Sequence, residues 1–333
     1  MLRTRFTELV GCKVPIQQAG MGDVSSPRLA AAVANAGALG MVGLTNAPLS
    51  YVEKSLDEMR KLTSGVFGAN FLVPGLVDDA TGKVDPEFAG VVEAAASRAR
   101  VVDFFYGDPD PALVDAVHAG GALVSWQVGS RDEAKAAERV GCDLVVAQGT
   151  EAGGHVRGKI GLLALLGQVL DSVRVPVVAA GGIGTGKAMA AVLAAGASAV
   201  RVGTRFVAAA ESEAHPRYVQ RLIAAEAKDT VLTEAFSTGW NAPHRVLRSS
   251  VEAAERFSGD VVGERIRPWA PDERVPVRRF QSTGVTKASY GTIDAMSFFA
   301  GESVDGVKDV LSAAEIVREL AGGAENLLRP MRK

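Results

Sequence analysis

The loop GTEAGGHVRG (149–158) carries the residue best suited to proton chemistry. Gly153 and Gly154 let the backbone pass close to a ligand and leave His155 projecting from the loop. An imidazole with an ordinary pKa of about 6.5 takes or gives a proton close to neutral pH. A lone histidine is commonly structural, but glycine flanks on a loop favour the chemical role. The other three histidines read differently. His118 falls late in a predicted helix, where a surface or dipole role is expected. His215 precedes Pro216 as a helix start would, and His244 lies in a weakly periodic region. No HxH or HExxH spacing occurs, so no metal is expected.

A glycine cluster, AGGIGTGK (180–187), offers a second chemistry. Backbone N–H groups in such a loop approach an anion closely, and the start of a helix favours negative charge. Gly203–Thr204 forms another small turn. Together the two turns predict a phosphate site. The cluster is not a P-loop, because Ala188 follows Lys187 where a magnesium-ligating hydroxyl is needed. Nor is it a dinucleotide fingerprint, which belongs after the first strand and has different glycine spacing.

These residues need a scaffold, and the chain supplies one by repetition. Eight short apolar runs are each followed by a helix-like stretch: 16–20, 39–43, 67–73, 101–105, 122–128, 143–148, 175–181 and 198–203. The runs are nearly continuous in apolar residues, as in parallel strands covered on both faces. Eight strand–helix units predict an α/β protein, specifically a (β/α)8 TIM barrel. Gly120, Gly141 and Gly196 follow helical runs as C-terminal glycines do. In such a barrel the loops after the strands converge on the active site, and those after strands seven and eight form the usual phosphate site. His155 follows strand six, and the glycine turns follow strands seven and eight. The barrel core is assigned to 1–227. An excursion packed on it, without an independent core, is assigned to 228–300. A closing helical segment is assigned to 301–333.

Composition narrows the function classes. The net charge of −2 leaves no basic excess to neutralise phosphates, so nucleic acid is not the expected partner. Two cysteines, Cys12 and Cys142, exclude a disulfide framework and a cysteine-only zinc site, and they suit a reducing cytoplasm. The N-terminal stretch lacks the apolar core of a secretory signal. Residues 29–52 carry no charge, but Asn35, Gly37, Gly40, Gly43, Asn46 and Pro48 break the run, so buried structure is expected and no membrane span.

With these residues on the page, a family resemblance emerges. QQAGMGDVSSPRLAAAVANAGALG (17–40), GANF (68–71), AQGTEAGGH (147–155), VPVVAAGGIGTG (175–186) and RVGTRF (201–206) resemble the nitronate monooxygenase family. FFAGESVDGVKDVLSAAEIVREL (298–320) looks like the family's closing segment, so the likeness covers nearly the whole chain. The combination of EAGGH, AAGGI and VGTRF is specific where each alone is not.

The resemblance implies a barrel holding FMN without a covalent bond. It implies that Asn70 contacts the flavin and that Gln148 reaches its ring, with the Gly153 backbone nearby. Gly182 and the segment Arg201, Val202, Gly203 and Thr204 would hold the phosphate, and His155 would be the catalytic residue. The implied partners are a small substrate and O2, with alkyl nitronates or nitroalkanes oxidised. Three positions depart from the pattern. The strand-four motif, which often reads like SFHFG with a histidine, here reads DFFYG (103–107), with Asp103 and Phe105 as the departing residues. The strand-eight motif, which often begins with Gln, begins with Arg201. FMN-dependent enoyl-acyl-carrier-protein reductases, which need NAD(P)H, share EAGGH and VGTRF and supply the alternative. A barrel that binds a phosphorylated ligand without turnover is the non-enzymatic one.

Overall fold

The computed structural model describes residues 2–76 and 86–329, so the last four residues of the expected closing segment lie outside the described residues. The strands, in chain order, are β1 (Ile16–Gln18), β2 (Gly40–Gly43), β3 (Phe67–Leu72), β4 (Val101–Phe105), β5 (Leu123–Val128), β6 (Leu144–Gln148), the short outlying β7 (Gly154–His155), β8 (Val177–Ala180) and β9 (Ala199–Val202). All but β7 pair in parallel in the order β1-β9-β8-β6-β5-β4-β3-β2, and a parallel bridge between Gln17 and Leu39 closes the ring. Each of these eight strands falls inside one of the apolar runs read from the sequence. The chain is a (β/α)8 TIM barrel.

Side chains alternate between the barrel interior and the helical layer. Val200 and Val202 join the apolar layer under the helices, whereas Ala199 joins the interior with Leu39, Met41, Val146 and Val178. Helix α1 (Arg5–Val10) adds Phe6 and Val10 to that interior cluster. The polar residues of β3, β4 and β5 share one register: Asn70 lies beside Asp103, and Asp103 beside Ser125.

Around the strands run α2 (Pro27–Asn35), α3 (Leu49–Leu62), α4 (Pro86–Ala96), α5 (Pro111–Ala119), α6 (Arg131–Arg139), α7 (Leu162–Leu170) and α8 (Gly186–Ala194). Gly141 and Gly196 end their helices with positive φ, as expected. Gly120 does not; its φ is −80°, and Gly121 takes the left-handed position at 84°. The eighth unit is irregular. Its helix, α9 (Thr204–Val207), makes one turn before the chain leaves the barrel. The missing wall returns at the end of the chain as α12 (Ala313–Leu328), which packs against α8 and α2. A Ser312–Glu315 capping box starts it.

The intervening chain builds α10 (Pro216–Ala224), β10 (Thr230–Thr233), β11 (His244–Leu247), α11 (Arg248–Arg256), β12 (Val261–Arg267), β13 (Ala270–Arg278) and β14 (Ser289–Gly291). Together with residues of the barrel it forms a second buried cluster. Tyr218 stacks on Phe298 at 4.9 Å, with Phe236, Val246 and Met296 in the same cluster. Val24 and Val207 of the barrel enter this cluster, and Met21 packs against both cores. Its members come from helix, short strands and loops, so no long apolar run marks it in the sequence. Residues 29–52 form most of α2, then β2 and the first turn of α3 with their connections, and no helix among the described residues is long and apolar enough to cross a membrane.

Candidate active site

A cavity of about 500 Å3 opens at the C-terminal ends of the barrel strands. That is the size range of small-molecule sites, roughly 300–1,000 Å3. Asn70, Gln148, Gly153, His155, Gly182, Arg201, Gly203 and Thr204 all line it, so residues scattered over the sequence converge on one space. Val202 does not line it. As the neighbour of Arg201 on a strand it points the other way, into the apolar layer under the helices. Its carbonyl accepts the Ala19 N–H at 2.9 Å.

The loop bearing His155 is more ordered than its glycines suggested. Gly154 and His155 form β7, which pairs antiparallel with β11 so that His155 lies opposite His244. The excursion therefore holds the histidine. Gly154 has φ of 77°, a conformation that favours glycine. Gly153 is required by packing: a Cβ there would lie 2.4 Å from the backbone nitrogen of Gly301.

The half-buried imidazole of His155 sits in an aromatic enclosure. Trp240 lies against it with ring centres 3.9 Å apart, and Phe299, Tyr106 and His244 stand at 5.7, 5.9 and 5.6 Å. Its Nε2 is 3.1 Å from the Ser282 hydroxyl. Loss of hydration in this enclosure, reinforced by His244, pushes its pKa down to about 3. The ring is neutral at pH 7. Tyr106 reaches it from the end of β4 with a φ of 68°, unusual for a residue with a side chain.

His244 is fully buried, and its hydrogen bonds fix its tautomer. The Phe236 N–H donates to Nε2 at 3.2 Å, so Nε2 carries no proton. Nδ1 then carries it and donates to the Ala242 carbonyl at 2.9 Å. Sequence alone marks none of Trp240, Ser282 and Phe299 as a site residue and sets His244 aside. They lie in the weakly periodic excursion, and only the pairing of β7 with β11 brings it to the barrel mouth.

Deeper in, the barrel residues form a polar network. Asn70 donates to Asp103 Oδ2 at 2.7 Å, and Ser125 donates to Asp103 Oδ1 at 2.7 Å. Arg201 donates to the same Oδ1 and, through Nη1, to Gln127 Oε1 at 2.6 Å. Two of the departures from the family pattern, Asp103 and Arg201, are thus each other's partners, while the third, Phe105, stands where the family often has histidine and lines the cavity. Arg201 spends two of its guanidinium nitrogens inside the barrel instead of on a phosphate turn. Gln148 donates to the His155 carbonyl at 2.8 Å, while its Oε1 is buried without a partner. That orphan acceptor requires a donor from a bound molecule or water.

The phosphate turns keep open backbone. Gly181 and Gly182 have φ of 110° and 67°. Thr185 caps α8 by accepting from the Ala188 N–H, so the cap is not made by a ligand. A Cβ at Gly203 would meet only Ala19 and Met21, at 3.5 and 3.8 Å. The Thr204 oxygen accepts the Gly301 N–H at 3.0 Å, which leaves its own O–H to donate.

A closed barrel with a roomy polar cavity, glycine turns after its last two strands and a histidine over its mouth is the framework of an FMN-dependent oxidoreductase. The family model for nitronate monooxygenase matches residues 3–323, and the chain belongs to that family. It is 28% identical to a probable nitronate monooxygenase of Staphylococcus aureus, over 90% of this chain and 92% of that one. It is 35% identical, over 79% of this chain and 70% of the relative, to (3aS,4S,5R,7aS)-5-hydroxy-7a-methyl-1-oxo-octahydro-1H-indene-4-carboxyl-CoA dehydrogenase of Rhodococcus jostii. Among solved structures it resembles FabK from Thermotoga maritima, with TM-score 0.80, 30% identity, and 100% and 99% of the two chains covered. Nitroalkane oxidase from Streptomyces ansochromogenes superposes with TM-score 0.77 and 29% identity, covering 98% and 100%.

Proposed function

We propose that this enzyme oxidises alkyl nitronates, and more slowly neutral nitroalkanes, with O2. The observation that carries this reading is the neutral His155 held by Ser282 within an aromatic enclosure at the mouth of the cavity. Bound FMN would supply the redox chemistry between the substrate and O2. Asn70 and Gln148 would meet its ring, Gln148 through the orphan Oε1. Gly182, Gly203 and Thr204 would hold its phosphate through backbone N–H groups and the free Thr204 O–H. The chain's own contribution to the reaction is orientation and water exclusion.

His155 serves in either of two tautomers. If Ser282 donates to Nε2, the proton sits on Nδ1 and can bond a nitro oxygen. If Nε2 donates to Ser282, Nδ1 is a free acceptor for the carbon acid's proton. A nitronate has already lost that proton and needs only the donor. Trp240 and Phe299 keep water from the ring.

One observation favours a second reading, oxidation or reduction of an acyl thioester. The outer wall of the cavity carries Arg265, Arg267 and Trp269 from the β12–β13 hairpin. Arg265 pairs with Asp23 at 3.1 Å. Arg267 has no ion-pair partner among the described residues and lies 5.9 Å over the Trp269 ring. Small nitro compounds do not need a cation there, whereas a phosphorylated carrier does. Anaerobic mixing separates the readings. Bleaching of the flavin by a nitronate, with no response to NAD(P)H or an acyl-CoA, is expected. Rapid bleaching by either of the latter, and none by nitronates, overturns the first reading in favour of the second.

A further inference from the structure

Asp103 has no solvent exposure, and the Arg201 side chain has only 5%. Burying either charge alone is costly, and removal of one partner of such a pair costs about 3–5 kcal/mol. The pair is therefore compensated by design of the barrel, but its two ends are not equivalent. Arg201 lines the cavity; Asp103 does not. Asp103 is saturated by Asn70, Ser125 and Arg201. Arg201 is not saturated: its Nε is buried with no acceptor in the protein. Gln127 and Asp103 hold the other two nitrogens and remove the guanidinium's freedom to turn away. The result is a fixed dipole buried in the barrel wall, positive end toward the cavity.

We infer that this pair sets the reduction potential of the bound flavin, with Arg201 facing the cofactor and Asp103 acting as the positioning residue that holds it. A reduced flavin carries more negative charge than an oxidised one, so a positive end nearby stabilises the reduced form. In a low-dielectric site such a charge acts more strongly than in water. The inference rests only on FMN occupying the cavity, not on which substrate is oxidised.

The test is a potential measurement on the holoenzyme by equilibration with a reference dye. Arg201→Gln leaves the buried carboxylate uncompensated and lowers the potential. Asp103→Asn leaves the cation uncompensated and raises it. Each is expected to change the oxidised-to-reduced ratio at a fixed poise by tenfold or more, about 30 mV for a two-electron couple. Arg201→Lys keeps the charge and stays above Arg201→Gln. The double variant Asp103→Asn/Arg201→Gln carries no buried charge, so it is informative even if the single variants do not fold. It is expected between the single variants and below wild type. A double variant at or above wild type, single variants shifting in the same direction, or a folded double variant that no longer retains FMN would each overturn the inference. Wild-type protein that binds no FMN would remove the cofactor reading itself, a result visible before any variant is made.

Discussion

His155 and His244 face one another across an antiparallel strand pair, with ring centres 5.6 Å apart. The second has its proton fixed on Nδ1 by a backbone donor and a backbone acceptor. It therefore stands as a neutral wall behind the first. Burial lowers the pKa of both, and His155 falls to about 3. A protonated His155 would meet apolar rings on most sides and no carboxylate partner among its described contacts.

Acid should therefore destabilise the fold through this pair. The unfolded chain binds protons on these histidines at about pH 6.5, whereas folded His155 does so only at about 3. Between those values the unfolded state holds more protons, so stability rises with pH. The contribution is complete above about pH 6.5 and is lost as the pH falls toward 3. Thermal unfolding of His155→Phe should show a shallower loss of Tm than wild type between pH 7 and 4. In the same window the rate on a nitronate should show no limb belonging to His155. A limb near pH 6.5 that vanishes in the variant would place the histidine in a far more hydrated site.

The phosphate turn is tested by charge. Gly182→Asp puts a carboxylate at a left-handed position that Asp tolerates better than most residues, and its Cβ would meet Glu151 at 3.4 Å, an ordinary contact. Repulsion of an anion about 4 Å away costs roughly 1–4 kcal/mol at effective dielectric 80 to 20. The variant should fold, with wild-type far-ultraviolet circular dichroism, and be purified colourless. Full FMN occupancy measured by absorbance after heat release would move the phosphate away from this turn.

The closing helix offers a test of stability. A methyl on Gly186 would lie 2.7 Å from Cα of Gly323, backbone against backbone. Ala is the better helix former by up to about 1 kcal/mol, but overpacking costs about 1–3 kcal/mol. Overpacking wins where α8 and α12 touch, so Gly186→Ala should lower Tm. Gly322, one position from that contact, has nothing within 4 Å of its added Cβ. Gly322→Ala should raise Tm by the propensity gain. If both substitutions stabilise equally, α12 is not docked against α8 as described.

Much of this was readable in the chain because parallel strands buried on both faces leave apolar runs, and each of the eight barrel strands fell within one. The strand pattern alone placed Asn70, Gln148 and the His155 loop at the barrel mouth, whereas the flavin contacts of Asn70 and Gln148 came only from the family resemblance and stand as proposals. Partnership was harder to see. Asp103 and Arg201 each stood out as a departure, yet they are 98 positions apart and only closure of the barrel joins them. Val202 entered through a motif, although strand alternation already turns it away from Arg201's side. Trp240 and Ser282 carried no signal, since a residue in an irregular segment acquires meaning only from what that segment covers.

Removal of the imidazole probes the chemistry itself. His155→Ala should keep FMN, because the phosphate turns after β8 and β9 do not contain it, while Gln148 still bonds the carbonyl of residue 155 through backbone alone. Loss of a positioned acid–base group lowers rates by about 10²–10⁴-fold. How the loss divides between substrates shows what the ring does. As a base, His155 is needed by the neutral nitroalkane and not by the nitronate, so the variant should lose the former activity by at least tenfold more. As a donor to the nitro group it serves both, and the two rates should fall together. The low pKa weakens it as a base, which favours the donor role and hence the parallel fall. Ser282→Ala separates the effects further: it leaves the ring in place but removes the partner that fixes its tautomer, so it should reduce both rates less than His155→Ala does. Rates unchanged in His155→Ala, measured with flavin still bound, would return the histidine to a purely structural place in the β7–β11 pair.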